Sequence, residues 1–315
     1  MASLKDTLDA RTKTGGLAVP LDERRIRCVA CGHRCPLPDG AAGVCKVRGN
    51  RGGELYVPWG YVSGVQCDPI EKKPFFHVSP GALAYSFGML GCDLHCGYCQ
   101  NWVTSQALRD PGAVSPAREV TPEALVSEAV ALGARAIVST YNEPLITVEW
   151  SVEIFRLARQ AGLLTGFVSN GNGTPEVLEF LRPWIDLYKV DLKSFDDRHY
   201  RELGGRLAPI LETIQALHGM GIWIEIVTLL VPGFNDSDDE LRRMAGFLAS
   251  VFAAGKKDAA APLDEKDKWK EKFELREVET GLASVDRVQI VAGLKAGEDV
   301  AVEDPTRPRE KKDRE

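Results

Sequence analysis

From Leu83 to Val251 the chain alternates short apolar runs with longer stretches whose apolar residues recur at three- and four-residue intervals. Strand-length runs alternating with helix-length stretches specify βα units around a parallel sheet, an α/β fold. The spacing predicts strands over Leu83–Leu90, Ala136–Ser139, Leu164–Ser169, Ile185–Leu192 and Ile222–Val231. Helices are expected over 122–133, 147–161, 175–181, 208–220 and 237–251. Thr121 followed by Pro122 is an N-cap with proline at the first helical position. Gly133, Gly162 and Gly221 stop helices. About five βα units result.

In such folds ligands bind beyond the carboxyl ends of the strands. Each expected strand runs into a polar cluster: GCDLHCGYC, STYNEP, SNGNG, DLKSF and PGFND. The first carries Cys92, Cys96 and Cys99, spaced C-x3-C-x2-C. Three thiolates on one loop can hold three corners of a cubane iron–sulfur cluster, where bacterial ferredoxin-type sites use four cysteines. The iron left without a thiolate would be open, as catalytic metals are and structural ones are not. A zinc knuckle or three buried free cysteines is the plainer alternative.

Cys92-x3-Cys96-x2-Cys99, with Tyr98 before the last cysteine, resembles the signature of the radical S-adenosylmethionine (SAM) superfamily. The flanking DPIEKKPFFHVSPG (68–81) and SFGMLGCDLHCGYCQNW (86–102) are similar to its AmmeMemoRadiSam-system branch, which is related to pyruvate formate-lyase activating enzymes. The likeness extends from about Cys28 to Phe252. It implies a partial (β/α) barrel and a [4Fe–4S] cluster held by Cys92, Cys96 and Cys99, with SAM on the open iron. One electron from the cluster would cleave SAM to a 5′-deoxyadenosyl radical, which takes hydrogen from a substrate. By the same resemblance Ser139, Thr140, Asn142 and Glu143 hold the SAM amino group. Asn170 contacts the ribose or methionine part and Tyr98 covers adenine. Asp191 and Lys193 face the reaction chamber as catalytic residues. Plainer readings are a helix cap for Glu143, a turn for Asn172 and an ion pair for Asp191 with Lys193. The implied partners are SAM, a flavodoxin or ferredoxin as electron donor, and a protein substrate if the chain activates a glycyl-radical enzyme. A metal-binding protein without catalysis is the reading from another class.

Upstream, Cys28, Cys31, Cys35 and Cys45 follow C-x2-C-x3-C-x9-C, a set suited to zinc or to a second iron–sulfur cluster. His33 within it reads as a bystander, and Cys67 as a small buried hydrophobe. Eight cysteines in a chain expected to be cytoplasmic point to metal ligation over disulfides. The start, MASLKDTLDARTK, has no apolar core of a signal peptide. A net charge of −6 makes no case for nucleic acid, and no apolar run is long enough to span a membrane.

After Phe252 the likeness stops. Positions 256–277 hold seven basic and seven acidic residues, a solvated stretch. Residues 273–305 resemble the last β-rich segment of efflux membrane-fusion adaptor proteins, with strands expected at Arg287–Ala292 and Asp299–Val302 forming a hairpin. The final residues read as disordered. The expected division is 1–25 flexible, 26–82 a cysteine-rich metal module with a β lead-in, 83–253 the core, and 254–315 linker and tail. The barrel is expected to be truncated, with an edge strand left uncapped.

Overall fold

A computed structural model describes residues 4–110, 112–113, 115, 117–254, 279–283 and 288–292. The chain divides into a unit over residues 1–257 and another over 258–315. At the centre of the first is a six-stranded sheet: β1 (Gly64–Pro69), β2 (Leu83–Gly88), β3 (Ala136–Ser139), β4 (Leu164–Ser169), β5 (Leu187–Asp191) and β6 (Trp223–Val227). The spatial order is β6-β5-β4-β3-β2-β1. The five strands β2 to β6 are parallel, and β1 lies antiparallel against β2 with Cys67 opposite Tyr85. The lead-in was expected to pack against the core as a separate piece. Its last strand is instead an edge of the core sheet, because β1 has backbone groups to pair and β2 had a free side.

The helices are α1 (Pro122–Ala131), α2 (Val148–Gln160), α3 (Pro175–Leu181), α4 (Asp197–Glu202), α5 (Leu207–Gly219) and α6 (Asp238–Ala254). The Thr121 and Thr174 hydroxyls accept from Ala124 N and Val177 N, each beside a proline, so α1 and α3 start where predicted. The short α4 was not expected. Its sequence, DRHYRE, shows no apolar period, and Asp196 caps it through Arg198 N. The residue alternation of the strands sorts the two faces. Tyr85, Phe87, Ile137, Phe167, Tyr188 and Val190 join the main core with helix residues such as Leu125, Phe155, Leu178, Ile214 and Val251. Their neighbours Ala84, Ala136, Val138 and Leu187 pack on the other face against Ile70, Phe75 and Val78.

After a short helix, Leu4–Asp9, residues 12–58 hold two small sheets, one of Thr12–Thr14, Gly49–Arg51 and Glu54–Pro58, the other of Ala18–Pro20, Ile26–Cys28 and Pro36–Leu37. A buried bidentate pair ties this segment to α2. Arg48 Nη1 and Nη2 donate to Glu149 Oε2 and Oε1 at 2.6 and 2.7 Å, Nη1 also reaches Ile146 O at 3.0 Å, and Nε reaches Cys28 Sγ at 3.3 Å. Glycine is needed at Gly32, where a Cβ would run into the Asn172 side chain.

In the second unit Glu279–Ala283 pairs antiparallel with Val288–Ala292. The expected hairpin joined 287–292 to 299–302; among the described residues the partner of Val288–Ala292 is Glu279–Ala283. The expected strand at 299–302, the charged stretch and the disordered tail lie outside the described residues. No helix among those described is long and apolar enough to cross a membrane.

Candidate active site

At the carboxyl ends of the parallel strands the loops surround a cavity of about 470 Å³. The loop after β2 contributes Cys92, Cys96, Tyr98 and Cys99; that after β3, Thr140, Asn142 and Glu143; that after β4, Asn170; and β5 with its extension, Lys189, Asp191 and Lys193. Of the site residues read from the sequence, only Ser139 in these loops falls outside it. Ser139 ends β3 on the helix side, is buried, and accepts from Ser151 Oγ at 3.2 Å. Its role in binding is therefore withdrawn: the strand alternation turns it away from the cavity.

The cysteine loop is held from beneath by Asp93, which is fully buried. Its carboxylate accepts from Asn170 Nδ2 and Asn172 Nδ2, both at 2.7 Å, and its carbonyl lies 3.0 Å from His33 Nε2. Asn172 is thus a strut for the cysteine loop. Cys92 Sγ accepts from Leu94 N at 3.4 Å, and Cys99 Sγ lies 3.2 Å from Ser105 Oγ. Burial, then the Asp93 charge, pushes the Cys92 thiol well up. Burial also raises Cys96, which the Lys193 ammonium pulls back. As thiolates these groups need a cationic centre, which a metal supplies by deprotonating a coordinating thiol.

The second wall is strained and tightly bonded. Tyr141 has φ 68° in the left-handed region, an unusual state for a bulky residue. Its ring lies over Lys73, and its hydroxyl accepts from Lys73 Nζ at 2.9 Å. Close approach here requires Gly88, where a Cβ would meet the Thr140 carbonyl oxygen. Asn142 Oδ1 accepts from Met89 N at 3.0 Å, locking this loop to the end of β2. Glu143 Oε1 accepts from Ser169 Oγ and Leu145 N at 2.7 and 3.0 Å, and Oε2 from Asn170 N at 2.8 Å. A carboxylate has about four acceptor sites, so one on Oε2 is left for a ligand. Glu143 therefore caps the short helical turn Pro144–Thr147 and still lines the cavity. Its carboxyl is pushed up to about 8, first by burial and then by Asp93.

On β5, Lys189, Asp191 and Lys193 share one face. Asp191 pairs with Lys189 through Oδ1 and with Lys193 through Oδ2 at 3.7 Å. Lys73, Lys189 and Asp93 are site residues that no motif singled out. Asp93 stands inside the cysteine spacing as an ordinary acidic residue, and the two lysines become neighbours only in the fold.

A bound group is needed to complete this cavity. The Tyr98 hydroxyl is buried on its wall with no hydrogen-bond partner among the described residues, and the Thr140 hydroxyl has none either. Three thiols, unpaired hydroxyls, a part-free carboxylate and a lysine fit a cluster with SAM beside it. No three His, Cys, Asp or Glu side chains among the described residues are grouped to hold a single metal ion. A cubane spreads its thiolates over separate irons.

Comparison with known proteins decides the family: residues 88–245 match the radical SAM superfamily. The chain belongs to that superfamily. Members use a [4Fe–4S] cluster and SAM. Among curated relatives, an uncharacterized protein of Methanocaldococcus jannaschii is 36% identical over 222 residues, covering 70% of this chain and 65% of the relative. This radical SAM chain thus spans just under two thirds of that relative's length. A pyruvate formate-lyase-activating enzyme of Staphylococcus aureus is 30% identical over 191 residues, covering 55% of this chain and 71% of the enzyme. Among solved structures, Streptococcus suis SuiB bound to S-adenosylmethionine aligns with a TM-score of 0.40 and 16% identity, over 51% of this chain and 36% of that one. Residues 266–307 match the C-terminal permuted SH3 domain of RND membrane-fusion proteins.

The four upstream cysteines do not line the cavity. Cys28, Cys31 and Cys45 are buried, Cys35 is half-buried, and none of the eight is in a disulfide. Burial pushes Cys45 up to about 11. Burial and then the Asp93 charge raise Cys31, so Asp93 acts on both cysteine sets.

Proposed function

We propose that this chain is a radical SAM enzyme whose substrate enters the cavity at the carboxyl ends of β2 to β6. The observation that carries the reading is the placement of three thiols and an unpaired, buried tyrosine hydroxyl on one cavity wall, opposite a carboxylate with one acceptor site left. When bound, the cluster and SAM supply one-electron cleavage of the sulfonium and a carbon radical able to take a hydrogen atom. Cys92, Cys96 and Cys99 hold the cluster, and Asp93 with its two asparagines fixes their loop. Glu143 Oε2, the Thr140 hydroxyl and the Asn170 amide receive polar groups of SAM, with Asn142 holding the loop that presents them. Tyr98 covers the adenine side and gains a partner for its hydroxyl. Lys193 compensates charge near Cys96, and Asp191 with Lys193 faces the substrate. Ile70, Phe75 and Val78, packed on the face of the sheet away from the helices, exclude water from that end.

Cys28, Cys31, Cys35 and Cys45 hold a second metal centre, closed to the cavity and structural. Four thiols suit either tetrahedral zinc or an iron–sulfur cluster there. The test of the main reading is anaerobic reconstitution, reduction with dithionite and assay for 5′-deoxyadenosine. A chain that carries its cluster yet forms none is a non-catalytic metal protein. A second reading, activation of a glycyl-radical enzyme, is supported by the similarity to pyruvate formate-lyase-activating enzymes. It predicts a glycyl-radical EPR signal on a partner protein.

A further inference from the structure

The segment 70–78 fills the helix-free face of the sheet. Ile70, Phe75 and Val78 pack against Ala84, Ala136, Val138 and Leu187. From the edge strand β1 it reaches the opposite edge strand, where Glu225 on β6 accepts from Phe76 N and His77 N at 2.8 and 3.1 Å. It therefore forms a floor beneath the cavity, and Lys72, Lys73 and Pro74 line the cavity from it.

That floor leaves the chamber wall with more ammonium groups than carboxylates. Asp68 is shared by Lys72 and Lys73, both at 3.2 Å. Asp191 is likewise shared by Lys189 and Lys193. Four lysines answer to two aspartates, so each of these carboxylates is divided between two ammonium groups. Lys72 is largely in solvent, whereas Lys73 and Lys189 are buried. Lys193 lies against the cysteine loop and answers its thiolates. The remaining carboxylate on the wall, Glu143, bonds to Leu145 N, Ser169 Oγ and Asn170 N and is paired with none of these lysines among the described residues. A buried ammonium without a full counter-charge is costly unless something anionic arrives to pair it. Tyr141, held with a left-handed backbone, presents its hydroxyl to Lys73 and fixes where that ammonium points.

We propose that the substrate of this chamber carries an anionic group, a carboxylate or a phosphate, received by Lys73 and Lys189. This rests on the reading of the cavity as the substrate site of a radical SAM enzyme. The two readings fail separately, because anion binding can be measured before any cluster is loaded.

The experiment uses the full chain without cluster or SAM. Succinate and inorganic phosphate are titrated separately by calorimetry, with succinamide as the uncharged match to succinate. Wild type should bind at least one of the two anions and not succinamide, and which one binds distinguishes carboxylate from phosphate. Lys73→Met and Lys189→Met keep the apolar stem and remove the charge. Each should weaken the anion at least about tenfold, the loss of a charge-assisted hydrogen bond, with melting temperatures showing that the variants are folded. If one variant does not fold, the other decides. Failure of wild type to bind either anion, equal binding of succinamide, or undiminished binding by a folded Met variant would overturn the proposal. Absence of 5′-deoxyadenosine from the loaded wild type would instead sink the radical SAM reading and leave the anion result standing.

Discussion

The two cysteine sets of this chain have the same donor atoms and opposite surroundings. Cys92, Cys96 and Cys99 line an open cavity, with ligand-ready hydroxyls and a part-free carboxylate around them. Cys28, Cys31 and Cys45 are buried behind it, and a guanidinium reaches Cys28. Metal chemistry separates catalytic from structural sites by whether a coordination position stays open. In this chain the two sets differ in burial and in the fold element that carries each loop. The Asp93 charge raises a thiol of each set, and the sets differ in access to the cavity.

The comparison breaks most sharply at the ligands. Cys96→Ala should abolish the loop cluster's absorbance and reduce 5′-deoxyadenosine to the protein-free background. Cys31→Ala should lower total iron or zinc but cost SAM cleavage no more than about tenfold, as changes outside the reacting centre do. Equal loss in both would mean that the upstream set is catalytic. Next comes the anchor of the upstream set. Arg48→Met leaves Glu149 buried without its partner and should cost about 3–5 kcal/mol, read from urea unfolding. The double variant with Glu149→Met should recover most of it. No cost in the single variant would show that the buried pair does not seat this segment.

A gentler probe is pH. Glu143 has its folded pKa raised from 4.5 to about 8, so the folded state holds the proton more tightly than the unfolded chain. Its stabilising contribution is complete below pH 4.5 and is lost as pH rises toward 8. The cofactor-free chain should lose on the order of 1.4 kcal/mol, one pKa unit's worth, between pH 5 and 8. Glu143→Gln should flatten that slope; an unchanged slope would assign it to another group. The smallest effect belongs to the exposed pair between the upstream loop and α3, where Arg34 meets Glu176 at 2.6 Å. Arg34→Met should shift stability by only about 0–1 kcal/mol. A larger loss would place solvent-facing contacts alongside Arg48 in holding the segment.

How far the chain could be read without its fold varied with the physics of each part. The strands Ala136–Ser139 and Leu164–Ser169 and the helix Pro175–Leu181 agree with their expected limits, because local periodicity and a Thr-Pro start act within a few residues. The strand β1 was missed as a core strand. GVQCDP has no clean alternation, and its place comes from backbone pairing with β2. Ser139 was read into the site with Thr140 by the family resemblance, but one step along a strand reverses the direction of the side chain. Glu143, offered with a choice between cap and site, proves to be in position for both.

The sequence by itself determined the cysteine spacing, the βα order and the polar clusters at the strand ends, all properties of residues close together in the chain. Only the tertiary structure decided which polar groups are left without a partner. The Tyr98 hydroxyl, the one remaining acceptor of Glu143 and the lysines that outnumber their aspartates are differences between what a side chain can bond and what the fold has already bonded to it. Such differences depend on burial and on neighbours far away in the chain, as Lys73 and Tyr141 are. They are what make a loop with three cysteines into the wall of a chamber.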